Sequence, residues 1–214
     1  MKTDTQLQQD VLAELAWEPS VNAAKIGVEV KDGVVTLAGH VDSFAQKWDA
    51  ERAAQRVSGV KALAVDMDVK LSSLSERTDG DIARTAENVL QWMTYWPRDA
   101  VKVMVEDGWV TLSGKVKWNY QRLAAVDGVR HLMGVKGVSD RIMVEHTMVS
   151  DTLKSDIEAA LRRHANSDIA VAVQDGDVTL TGTVRSWGAF DLASHAAWGT
   201  PGVQSVSNKI TIAY

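Results

Sequence analysis

DGVVTLAG at residues 32–39 returns as DGWVTLSG at residues 107–114 and as DGDVTLTG at residues 175–182. An Asp-Gly pair followed by alternating apolar residues is the signature of a two-residue hairpin loop, because both central positions need a positive φ. Working backwards from each loop, Ile26-x-Val28-x-Val30, Val101-x-Val103-x-Val105 and Ile169-x-Val171-x-Val173 alternate with a period of two. That period marks a strand with one buried face. Working forwards, Gly39, Gly114 and Gly182 are each followed twenty residues later by a second glycine, Gly59, Gly134 and Gly202. Two punctuation marks at one spacing, three times over, make the chain three copies of one unit.

A helical pattern precedes each hairpin. Leu7, Val11, Leu12 and Leu15 recur at helical spacing before Pro19; Ile82, Ala86, Val89, Leu90 and Met93 do so before Pro97, with Asp81 as the expected cap. In the third copy Ser150 or Asp151 is the expected cap for Leu153, Ile157, Ala160 and Leu161. The twenty-residue interval predicts a second helix. Its inward side is small: Ala50, Ala53, Ala54 and Val57, then Ala125, Gly128, Val129 and Leu132, then Ala193, Ala196, Ala197 and Thr200. After the second glycine comes a third strand carrying Leu63, Met67 and Val69, or Val138, Ile142 and Val144, or Val206, Ile210 and Ile212. The expected fold class is α+β: three tandem αββαβ units at residues 1–71, 76–146 and 149–214, each a three-stranded mixed sheet with two helices packed on one face.

This order of elements, the DGxVTLxG hairpin, the alanine-rich second helix and the closing segments GVKALAVDM, GVKGVSDRI and GVQSVSNKI resemble the BON domain family. The resemblance covers almost the whole chain. It implies a bacterial protein associated with the envelope, with osmotic or other stress and with phospholipid, acting without catalysis.

Composition narrows the chemistry. The chain of 214 residues has no cysteine, which removes disulfides, thiolate metal sites and cysteine nucleophiles. The net charge is −5, and basic against acidic side chains number 8 to 11 in residues 1–75, 10 to 10 in residues 76–146 and 5 to 7 in residues 147–214. No copy is basic, so no nucleic-acid partner is expected. His40, His131, His146, His164 and His195 lack metal-ligand spacing, and only His131 and His195 fall on a second helix. The copies share no nucleophile and base, so neither an enzyme nor a cofactor is expected. The N-terminal stretch lacks a leader's apolar run. The expectation is a cytoplasmic chain, or a periplasmic one where a leader has been removed.

Eight tryptophans stand out beside two phenylalanines and three tyrosines. Val35, Val110 and Val178 must face the core with Leu37, Leu112 and Leu180, so Val34, Trp109 and Asp177 face away from it. Glu29, Met104 and Ala172 share that outer side, which places Met104 beside Trp109 on an uncovered sheet face. Trp48 and Trp198 lie off the alanine side of the second helix and are expected to point outward within their own unit, where such rings either cement one repeat to the next or meet a partner, while Trp118 and Trp187 sit near its start. Trp17, Trp92 and Trp96 end the first helices and are expected to cover the core. The candidate contacts are therefore Met104, Trp109, Trp48, Trp118, Trp187 and Trp198, with Lys115 and Lys117 as nearby cations joined by Lys102 and Arg122. Exposed apolar patches mark interaction surfaces. The partners they suit are a phospholipid surface, a second copy of the chain or another protein.

Overall fold

The computed structural model describes residues 2–93, 100–145, 152–164 and 169–213. The chain forms two compact units, Met1–Val116 with Gln121–Met143 and Lys117–Tyr120 with Val144–Tyr214. The elements of the first repeat are α1 (Asp4–Trp17), β1 (Ile26–Lys31), β2 (Val34–Val41), α2 (Phe44–Arg56) and β3 (Ala62–Val69). Those of the second are α3 (Asp79–Trp92), β4 (Val101–Glu106), β5 (Trp109–Val116), α4 (Asn119–Arg130) and β6 (Gly137–Val144). The third holds α5 (Leu153–His164), β7 (Ile169–Gln174), β8 (Asp177–Val184), α6 (Trp187–Trp198) and β9 (Ser205–Ile212).

The hairpin strand that returns from each Asp-Gly turn is the central strand of its sheet, in the orders β1-β2-β3, β4-β5-β6 and β7-β8-β9. β1 runs antiparallel to β2 from Ile26 opposite Gly39 to Lys31 opposite Val34, and β3 runs parallel to β2 from Ala62 opposite Val34. The parallel strand needs a crossover, which α2 supplies. These are α+β units with mixed sheets.

Asp32 and Gly33 have φ of 52° and 80°, and the pairs Asp107-Gly108 and Asp175-Gly176 repeat this geometry. Gly39 is required for a second reason. It has φ of 133°, and a Cβ there would run into the carbonyl oxygen of Lys25. Val35, Leu37, Val110, Leu112, Val178 and Leu180 are buried as the alternation demands. Both helices of a unit bury their apolar stripe against that side, Leu7, Val11 and Leu15 from α1 and Ala50, Ala53 and Ala54 from α2. The alanines let the helix backbone lie close on the sheet, leaving the opposite sheet face uncovered.

The helix starts differ from expectation in one respect. Thr78, not Asp81, caps α3, its hydroxyl accepting from the Asp81 amide. Threonine holds the extended backbone that a cap needs, and Asp81 falls in the first turn, where its carboxylate accepts from the Thr78 hydroxyl and meets the helix dipole. Ser150, Asp151, Trp96 and Pro97 lie outside the described residues. His131 stands just past the end of α4 rather than on it.

Candidate interaction surfaces

α1 buries Leu7, Val11 and Leu15, spaced by four residues. Trp17 comes two residues after Leu15, about 200° further round the helix, and so points away from the core. The same phase in α3 buries Ile82, Ala86 and Leu90 and turns Trp92 outward. Trp17 is 83% exposed and Trp92 89%, so these rings do not cover the core as expected. The two positions are equivalent, and the helix that carries them ends there in both repeats.

The outer face of the second sheet is built by strand alternation. On β4 it carries Lys102, Met104 and Glu106; on β5 Trp109, Thr111, Ser113 and Lys115. On β6 the Trp109 Nε1 donates to Ser139 Oγ at 2.8 Å, which puts Ser139 and, two and four residues on, Arg141 and Met143 on the same face. The Trp109 ring lies over Gly137, where a Cβ would collide with ring atoms Cε3 and Cζ3. Met104, Trp109 and Met143 remain 57%, 50% and 58% exposed. Met104 and Trp109 thus share one open apolar face. Lys102, Lys115 and Arg141 are exposed, and none has an ion-pair partner among the described residues.

The corresponding face of the first sheet has opposite character. Met67 is buried, so its neighbours Asp66 and Asp68 face outward, along with Glu29 and Lys31 of β1 and Val34 of β2. None of these four charged side chains has an ion-pair partner among the described residues. In the third sheet the place of Trp109 is taken by Asp177, whose carboxylate accepts from the hydroxyl of its cross-strand neighbour Ser205.

The remaining tryptophans among the described residues have partners within the protein. Trp48 of α2 is half-buried under the guanidinium of Arg130, whose Cζ stands 4.4 Å from the ring centroid, and Arg130 also pairs with Asp127. It therefore joins the first repeat to the second: the neighbouring repeat covers what its own repeat leaves open. Trp187 is half-buried and meets Phe190 edge-on at 5.4 Å. Trp198 packs against the third repeat's core rather than pointing outward. Trp118 is 37% exposed, and neither it nor Lys117 is without a partner. Arg122 is committed to Asp140 at 2.6 Å. Lys117 and Trp118 belong to a different compact unit from Lys115.

Two tethers join residues too far apart in sequence for local pattern to show. The Asp4 carboxylate accepts from the amides of Asp32 and Gly33 at 2.8 and 3.1 Å, and Asp79 accepts from Asp107 and Gly108 at 2.8 Å each. Each first helix is thereby tied to its own hairpin turn. Arg56 reaches Glu14 at 2.9 Å and Glu18 at 2.8 Å, and its hydrogen bond holds the Glu18 carboxyl below its ordinary pKa. Burial pushes Glu51 above the usual value, against the attraction of Lys47. An open depression beside Gly108 is lined by Glu76, Arg77, Asp79, Asp107 and Lys136, but Asp79 is already engaged by the turn amides. Among the described residues no three His, Cys, Asp or Glu side chains converge on a metal position. No helix among them is long and apolar enough to cross a membrane.

The repeating αββαβ units coincide with matches to the BON domain at residues 3–70, 78–145 and 150–214. The chain belongs to the BON domain family. It is also 32% identical over 142 residues to the osmotically-inducible protein Y of Escherichia coli (strain K12), covering 64% of this chain and 70% of that protein. Among solved structures it is similar to CdsD, a structural protein of the type III secretion system of Chlamydia trachomatis, at 15% identity and a TM-score of 0.28, over 97% of this chain and 92% of that one. The periplasmic domain of PrgH gives 15% identity and a TM-score of 0.24, over 89% and 96%. Among the exposed apolar groups of these BON domains, Trp17 and Trp92 stand at helix ends, and Met104, Trp109 and Met143 share one sheet face.

Proposed function

We propose that this protein is a non-catalytic, osmotic-stress-related component that attaches to phospholipid surfaces. The similarity to an osmotically inducible protein supports the stress role. The observation that carries the attachment is the exposure of Trp17 and Trp92 at equivalent helix ends. An indole joins a large apolar body to one N–H donor, and it gains most where one side is oily and the other wet. A ring projecting from a helix end can enter that boundary without unfolding anything behind it.

The electrostatics suit an apolar contact. With a net charge of −5, the chain as a whole is repelled by an anionic surface, so attraction must come from the rings. Attachment is therefore expected to change little with salt. Flotation with vesicles of phosphatidylethanolamine and phosphatidylglycerol tests the reading. The protein is expected to float with the vesicles, and the Trp17→Ser/Trp92→Ser variant to remain at the bottom with an unchanged melting temperature. Failure of the parent protein to float, or flotation of the double variant at parental levels, overturns it.

A further inference from the structure

The outer faces of the first two sheets carry opposite charges at matching places. Asp66 of β3 and Arg141 of β6 are equivalent by the 75-residue offset between the repeats, as are Lys31 of β1 and Glu106 of β4. Far from the hairpin turn, the first face carries Asp66 and Asp68 and the second carries Lys102, Lys115 and Arg141. At the turn end the signs reverse, with Lys31 on the first face and Glu106 on the second. Val34 and Trp109, both half-exposed, hold the same central-strand position.

We propose that the outer sheet face of the second repeat docks on the outer sheet face of the first repeat of a second copy of this chain. Sheets that pack face to face keep their strands within about 30° of one another. In the alignment that brings the two hairpin ends together, the central strands lie opposite each other, so Trp109 meets Val34. The outer strands exchange sides, so β3 lies over β4. Asp66 and Asp68 then face Lys102 and its neighbour Lys115, and Glu29 of β1 lies near Arg141 of β6. Turning one sheet end for end would place β3 over β6 and β1 over β4, bringing Lys31 towards Lys115 and leaving Asp68 over the turn end of β6, away from either lysine. Complementarity therefore selects one orientation.

Met104 and Trp109 supply the apolar centre of this contact and the charges its rim, the usual division in an interface. Trp109 enters it already fixed, since its N–H is held by Ser139. Little side-chain freedom remains to be lost there. The contact is independent of the lipid reading, because Trp17 and Trp92 take no part in it.

Sedimentation and light scattering across micromolar concentrations test the proposal with two charge-reversed proteins. In one, Asp66→Lys and Asp68→Lys make the first face basic; in the other, Lys102→Glu and Lys115→Glu make the second face acidic. All four positions are exposed, and circular dichroism should report unchanged folding. The parent protein is expected to self-associate more weakly as salt rises. Each reversed protein alone should associate about tenfold more weakly or worse, since like charges now face each other. An equimolar mixture should regain a complex, because the basic first face of one fits the acidic second face of the other. A parent protein that stays monomeric throughout overturns the proposal. So does a mixture no better than its components, or a Met104→Ser/Trp109→Ser variant that associates like the parent. Loss of vesicle flotation in that last variant, without any change in association, would assign the face to lipid instead.

Discussion

The indole of Trp109 lies over Gly137 on the neighbouring strand, and its Nε1 donates to Ser139 Oγ at 2.8 Å. In the first repeat the same two positions hold Val34 and Ala62, and in the third they hold Asp177 and Ser205. Only the pair with the largest ring has glycine beneath it. Gly137→Ala is expected to push the ring off the sheet and break its bond to Ser139. The loss should be about 1 kcal/mol of stability, read by urea unfolding. The Trp109 indole N–H, assigned by comparison with Trp109→Phe, should exchange faster with solvent. Unchanged exchange would mean that the strand yields and the ring stays.

Arg130 over Trp48 is the second relationship to test, and it joins two repeats that contribute one member each. A cation above an indole contributes roughly 0.5–2 kcal/mol depending on how far it is desolvated. Arg130 Nε is buried without a hydrogen-bond partner among the described residues, so the ring face is a principal compensation for its burial. A double-mutant cycle over Trp48→Leu and Arg130→Met is expected to return a coupling in that range. Additive effects would remove Arg130 from the joint between the repeats.

The turn tethers give a more local prediction. Asp4→Ala and Asp79→Ala each free two hairpin amides that a carboxylate now holds. Each change is expected to cost about 1–2 kcal/mol, the range for losing charge-assisted hydrogen bonds that double as first-turn charges. Amide exchange at Asp32 and Gly33, or at Asp107 and Gly108, should accelerate in the matching variant only. In the third repeat the residue three before the first buried helix position is Ser150, which has no carboxylate to offer.

These features differ in how far sequence reveals them. The hairpins, the buried Val-x-Leu pairs and the alanine stripe follow from short-range rules: turn chemistry, a period of two and a period of 3.6. Trp17 and Trp92 are equally open to that arithmetic. Their place near prolines suggests a lid on the core, but the helical phase set by Leu15 and Leu90 decides the matter against it. Trp48 is different. Its alignment with Leu123 and Asp191 shows that its own repeat does not bury it, and says nothing about Arg130 arriving from the next. Gly137 under Trp109 needs the cross-strand register, and the choice between Thr78 and Asp81 as a cap needs backbone angles. Local pattern fixes what faces the core of a unit; what meets its outside depends on contacts distant in sequence.

Glu51 provides a prediction with a definite pH direction. Burial raises its pKa in the folded protein, with Lys47 offsetting only part of the effect. Well above the raised value the carboxylate is ionised in both states, and the folded state alone bears the cost of its desolvation. As pH falls through the window between the raised folded value and the ordinary glutamate value, the folded protein takes up the proton first. Its stability relative to the unfolded chain therefore rises from this group. Below the ordinary value both states are protonated and the cost has gone. Glu51→Gln should thus be more stable than the parent at neutral pH, with the difference shrinking as pH falls through that window. Melting both proteins in parallel at several pH values isolates the effect, because every other titrating group is common to the two. A difference that stays constant with pH would mean that Gln stabilises by better helix packing, and that the Glu51 carboxylate is as well solvated in the fold as outside it.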